Sequence, residues 1–335
     1  MRRPYPLLVA LACSPSACAV GGMTPPDAGT IDAGSDPTPD AGRALAEVPS
    51  TLSDTGLYAG AVGGAYAPDV LTYDVRYSLW VDGAAKRRHV LLPPGTAIDT
   101  SDPDGWVFPV GTRVFKEFFV DGRPVETRLL LKTGPSRDEW TYVSYVFRAD
   151  GSDADAEPMG ATDVRGTTHD VPSQTECHEC HQAAPDFVLG FSAIQISRAA
   201  FDLFVAEGAL PSGTTFGEIP GTQVERDALG YLHANCGHCH REGHPVSEQR
   251  SLRLDLRVGL ASVQQANAYA TALDAPATDR VNGTRVWIAP GDPAMSQIVA
   301  RMGERSMVGM PPLGTDAVDD YGVAAVSTWI ATLPP

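Results

Sequence analysis

Tyr231-Leu232-His233-Ala234-Asn235-Cys236-Gly237-His238-Cys239-His240 closes a segment, residues 224–233, whose apolar positions recur at helical spacing, and ends in Cys-x-x-Cys-His. Cys177-His178-Glu179-Cys180-His181 has the same pattern upstream. This is the attachment signature of a c-type haem. Two thiols three positions apart can each form a thioether to a haem vinyl group, and the adjacent histidine then lies under the iron. The reading makes Cys177, Cys180 and His181 one covalent haem site and Cys236, Cys239 and His240 another. A zinc ribbon brings two such thiol pairs together across roughly 15 to 20 residues, whereas about 55 separate these. A thioredoxin-like redox pair has no use for the following histidine.

The remaining cysteines agree. Of six, four belong to the motifs, and Cys13 and Cys18 fall near the start, leaving none for structural disulfides. Met1-Arg2-Arg3 followed by Leu7-Leu8-Val9-Ala10-Leu11-Ala12 has the charge and short apolar run of an export signal, too short to span a bilayer. Ala10-Leu11-Ala12-Cys13 resembles a bacterial lipoprotein processing site, which would leave Cys13 acylated; an ordinary cleaved signal is the alternative. Bacterial c-type haems are attached outside the cytoplasmic membrane, so an exported, periplasmic or membrane-anchored protein is expected. Residues 23–50 repeat a Pro/Asp-Ala-Gly theme that cannot bury a core and reads as a solvated linker. The net charge of −16 argues against nucleic acid as a partner, because phosphate neutralisation needs clustered Lys and Arg.

Beyond the signal (residues 1–22) and linker (23–50), the sequence predicts an α+β protein in three parts. Residues 51–160 read as an antiparallel β domain, a sandwich or open barrel, with strands at 71–77, 88–92, 112–120, 125–131 and 140–147 rich in β-branched and aromatic residues. Asp121-Gly122 is a hairpin-turn dipeptide, and residues 150–157 read as an acidic loop. A first haem-binding segment follows at 161–222, and a mainly α-helical cytochrome c region at 223–335. Helical spacing marks residues 191–206, 224–233, 295–302 and 317–333, the last with Val318, Val323, Val326, Trp329, Ile330 and Leu333 on its buried side and Pro334 as its stop.

A thioether sulfur is a common sixth ligand in cytochromes c and raises the potential. Met310-Pro311-Pro312-Leu313-Gly314 supplies one in a rigid proline loop, with Met307 as the fallback. For the first iron the candidate distal ligands are Met159, His169, His89 and His244; with none of them it is five-coordinate and open. His178 and His238, inside the motifs, are expected to point away from the irons.

The order of Tyr231-Leu232-His233-Ala234-Asn235-Cys236, Ala289-Pro290-Gly291-Asp292-Pro293, Met310-Pro311-Pro312 and a terminal helix with Trp329-Ile330 resembles a class I type bacterial cytochrome c domain. Leu79-Trp80-Val81-Asp82-Gly83-Ala84-Ala85-Lys86-Arg87-Arg88, Phe108-Pro109-Val110-Gly111-Thr112, Glu126-Thr127-Arg128-Leu129-Leu130 and Pro172-Ser173-Gln174-Thr175-Glu176-Cys177 are similar to a family of exported bacterial two-haem c-type cytochromes. The resemblance covers nearly everything after the linker, and its β-domain motifs carry no known chemistry. It implies electron transfer with redox protein partners, among them a quinoprotein-type sugar dehydrogenase. Two rival expectations stand beside it. One is a peroxidase-like enzyme with an open first haem; the other is a β binding module that carries the cytochrome.

Overall fold

Asp121 and Gly122 both take positive φ, 50° and 75°, the turn that matches the twist of two antiparallel strands. They join β3 (Arg113–Val120) to β4 (Arg123–Lys132) in the computed structural model, which describes residues 48–335. The signal, Cys13, Cys18 and nearly all of the linker lie outside the described residues. β1 (Val70–Thr72), β2 (Ala85–Leu91), β5 (Trp140–Phe147) and β6 (Ala154–Ala156) complete one antiparallel sheet in the order β1-β2-β3-β4-β5-β6. The protein is therefore α+β, but the β region is a single open meander. No second sheet opposes it among the described residues, and β1 does not pair with β6, so it forms neither a sandwich nor a closed barrel.

Other layers cover the two faces. Phe115, Leu129, Val143 and Tyr145 pack under Leu52, Leu57 and Tyr58 from the segment before β1. Val90, Val114, Leu130 and Tyr142, on the opposite face, share a core with Phe187, Val188, Phe191, Phe201 and Phe204. This second face carries α1 (Gln174–His181) and α2 (Arg198–Ala206). The core of the first-motif segment is thus the core of the sheet.

α3 (Gln223–Asn235), α4 (Pro245–Arg250), α5 (Asn267–Thr271), α6 (Gln297–Met302) and α7 (Asp320–Thr332) enclose a separate core around Leu229, Leu232, Trp287, Ile298, Val326, Trp329 and Ile330. α3 crosses α7 where Gly322 leaves room for Tyr231: a Cβ at Gly322 would fall 2.0 Å from the Tyr231 ring. Hydrogen bonds tie this region to the sheet. Asn235 accepts from the Trp80 amide at 2.7 Å and donates to the Ser78 carbonyl at 3.0 Å, while Asp82 accepts from the amides of Asp316 and Ala317. The 78–82 segment therefore holds the residue immediately before Cys236.

Candidate functional site

Ser173 starts α1 with a capping box: its hydroxyl accepts from the Glu176 amide, and the Glu176 carboxylate accepts from the Ser173 amide at 2.8 Å. That cap sets the helical phase, so Cys177, Cys180 and His181 at i, i+3 and i+4 share one face. All three are half-buried, and Cys177 packs at the edge of the core shared with the sheet. His181 donates from Nδ1 to the Phe187 carbonyl at 2.7 Å, and its ring centroid lies 4.9 Å from that of Tyr142 on β5. A backbone acceptor on one ring nitrogen fixes the tautomer and leaves Nε2 as the metal-binding lone pair. Burial, with Lys116 next in weight, holds the imidazole well below its usual pKa and therefore neutral.

The Phe187 carbonyl is presented by an unusual turn. Asp186 and Phe187 both take positive φ, 44° and 57°. Asp186 is fixed there because its carboxylate accepts from the Phe108 amide at 2.7 Å and forms a buried ion pair with Lys132.

The second motif grows out of the end of α3. Cys236 is the C-cap residue, its amide donating to Leu232, and the amides of Cys239 and His240 both return to the Cys236 carbonyl, at 3.1 and 2.8 Å. Gly237 is required inside this turn, since a Cβ there would sit 2.6 Å from the His233 carbonyl oxygen and 3.0 Å from the Asp255 Cα. Burial depresses the pKa of His240 to about 4, and its Nδ1 has no hydrogen-bond partner among the described residues. His233 has a structural role instead, its Nδ1 accepting from the Leu256 amide at 3.0 Å.

All four thiols are free. Burial pushes Cys177 up to about 11 and Cys236 and Cys239 to about 12, and raises Cys180 as well. A redox nucleophile needs the opposite shift. Among the described residues no group of three or more His, Cys, Asp and Glu is placed to hold a metal ion by itself. The donor set fits a covalently attached haem, with a thiol pair and one neutral imidazole in each motif.

The motifs lie within electrostatic reach of each other. Cys239 is raised partly by Cys180 and Glu179, and His181 is lowered partly by His238. His178 is exposed, whereas His238 is 8 % exposed. Lys116 of the sheet acts on it, as do His240 and His244.

Met310 is half-buried and held on both sides of its peptide, its amide donating to the Arg301 carbonyl at 2.9 Å and its carbonyl accepting from Arg305 at 3.0 Å. Met307 is 95 % exposed and Met159 77 %. His89 points to the far face of the sheet, bonded to Thr72 and Glu117 at 2.9 Å each. His169 is spent on Glu126 at 2.7 Å. His244 caps α4 and lies near the second motif, where it lowers His238 and His240. His89 and His169 are thus engaged by carboxylates and His244 lies by the second motif, whereas Met159 is exposed beside the start of α1, where the Gln174 amide donates to Pro158.

Reading the sequence missed the surroundings of the first motif. Tyr142 carries the His181 ring, and Lys116, Arg128 and Glu126 all act on the Cys177 thiol. A signal existed in β3, where Val114, Lys116 and Phe118 share one face and the middle member is charged. Comparison with known proteins gives no counterpart: no family model matches the chain, and no curated protein or solved structure matches it either.

Proposed function

We propose that the chain is an electron carrier with two covalently attached c-type haems, of the exported two-haem cytochrome type its motifs resemble. The observation that carries the reading is the state of the two histidines that follow the thiol pairs. His181 and His240 are both half-buried and lowered in pKa, and His181 is oriented through Nδ1 by a backbone carbonyl. Cys177 and Cys180 would hold one haem and Cys236 and Cys239 the other, with Met310 as the distal ligand of the second. When bound, the haems supply one-electron chemistry. The thiols would attach them, His181 would be held in orientation by Phe187, and the motifs lie within electrostatic reach of each other, which suits transfer between them. Export to the cell envelope belongs to the proposal, because that is where covalent attachment occurs; a redox enzyme such as a quinoprotein-type dehydrogenase fits as donor.

A second reading, a peroxidase-like open first haem, is favoured by the engagement of His89 and His169 by carboxylates and the place of His244 by the second motif. Intact mass and a redox-titrated absorption spectrum of the matured protein separate the two. Two haems per chain, both low-spin and without peroxide turnover, support the carrier; one high-spin haem with turnover supports the enzyme. A chain mass without haem ends both.

A further inference from the structure

The sheet face beneath α1 carries three neighbouring cross-strand rows of different character. Val90, Val114, Leu130 and Tyr142 form an apolar row, and His181 rests on its Tyr142. One step along the strands on the same face, Arg88, Lys116, Arg128 and Ser144 stand opposite one another, so three cations occupy adjacent strands. The third row is Lys86, Phe118, Glu126 and Val146. Four cations thus meet one carboxylate on a single face, in a chain whose net charge is −16.

Directly opposed like charges on neighbouring strands repel, and burial strengthens the repulsion. Arg88 is 7 % exposed and Lys116 9 %. Arg128 is answered by Glu126 at 2.6 and 2.9 Å, and Arg88 reaches the Ser78 hydroxyl at 3.0 Å. The Lys116 side chain, in the centre, has no hydrogen bond or ion pair among the described residues, and Ser144 at the end of the row has a buried, unpartnered hydroxyl. An ammonium without a partner on a side chain only 9 % exposed is one that an anion would stabilise. Where the row ends at Arg88, a cleft of about 450 Å³ opens, lined also by Lys86, Trp80 and Tyr231. Lys116 acts on both thiols of the first motif and on His181, so the row borders that motif. α1 itself, Gln-Thr-Glu-Cys-His-Glu-Cys-His, contains no Lys or Arg.

We infer that Arg88, Lys116 and Arg128 form the carboxylate-binding wall of the first haem site, taking the propionate groups of the cofactor attached at Cys177 and Cys180. The inference rests on the two-haem reading. A haem carried by α1 brings two carboxylates that its own helix cannot neutralise, and the sheet presents an excess of cations that the polypeptide does not neutralise. Arginine and lysine are the side chains suited to such groups, the one as a planar fork and the other as a point charge.

The test uses matured holoprotein with Lys116→Gln, Lys116→Arg and Arg88→Gln, following haem content by intact mass and both reduction potentials by spectroelectrochemical titration. Removing a cation beside the propionates favours the ferric state. Lys116→Gln is expected to keep both haems and shift the ferric/ferrous equilibrium of one of them about tenfold, a fall of about 59 mV for a one-electron couple. Arg88→Gln shifts the same haem in the same direction, and Lys116→Arg restores the original potential, so a folding failure of the first variant leaves two others to decide. Unchanged potentials with both haems present overturn the inference. So does a change of spin state in Lys116→Gln, which would make Lys116 an axial ligand. A potential of the unsubstituted protein that moves with added inorganic phosphate overturns it too, by making the row an open site for a diffusible anion. Failure of the two-haem reading is distinguished by a chain mass without haem.

Discussion

His181 and Phe187 are joined by a 2.7 Å hydrogen bond from the imidazole Nδ1 to the backbone carbonyl, and the carbonyl is aimed by the left-handed residue before it, Asp186. Asp186 is buried against Lys132, which is also buried, so removing the carboxylate leaves an uncompensated ammonium in the core. Asp186→Ala is expected to cost about 3–5 kcal/mol in chemical denaturation, and Asp186→Asn less, because the amide oxygen still accepts from Phe108. On the two-haem proposal, the spectrum of the first haem should change in the matured protein and that of the second stay as it is.

Glu126 gives a pH signature. Burial alone would raise its pKa, but Arg128 and His169 outweigh burial and bring it to about 2, from an ordinary value of 4.5. Between those values the unfolded chain binds a proton that the folded chain does not, so stability rises with pH across that window and is lost as pH falls from 4.5 toward 2. The contribution at neutral pH is about 3 kcal/mol, from about 1.4 kcal/mol per pKa unit. Urea denaturation between pH 2 and 5 should show this slope in the parent and a flatter one in Glu126→Gln.

The parts of the fold that were legible in the sequence depend on local pattern. β3, β4 and β5 are rich in β-branched, aromatic and leucine residues and Asp121-Gly122 dictates the β3–β4 hairpin; α3 and α7 carry apolar stripes. β1 is shorter than its sequence suggests, because residues after Thr72 turn away: the Arg76 amide donates to Gln195 and the Ser197 amide to Asp74. β6 lies within what reads as an acidic loop, where Asp155 stays in a strand by pairing with Val146 and by ion pairing with Arg148. α1 has no buried residue to reveal it and depends on its cap and on the sheet beneath. The thiol and histidine positions were visible as a motif; the cation row was not, since it exists only once the strand register places Arg88, Lys116 and Arg128 side by side.

Gly322 tests the helix crossing that closes the second core. Alanine would gain about 1 kcal/mol of helix propensity over glycine. Its methyl group would meet the Tyr231 ring at 2.0 Å, and overpacking typically costs about 1–3 kcal/mol. Overpacking wins, because the ring cannot retreat without parting α3 from α7. Gly322→Ala should lower the melting temperature, and a Tyr231→Leu second substitution should recover part of the loss.

Met310 and Met307 lie in one loop, yet their settings differ. The Met310 peptide is held by Arg301 and Arg305, whereas Met307 is 95 % exposed. Loss of a thioether ligand removes the interaction that raises a cytochrome potential. In the matured protein, Met310→Ala should therefore lower the potential of one haem and abolish the absorption band of sulfur-ligated ferric iron, while the other haem is unaffected. Met307→Ala should leave both potentials in place. If Met307→Ala removes the band and Met310→Ala does not, the ligand assignment reverses; if neither does, the second iron takes its sixth ligand from elsewhere, and the imidazoles of His238 and His244 are the next to substitute.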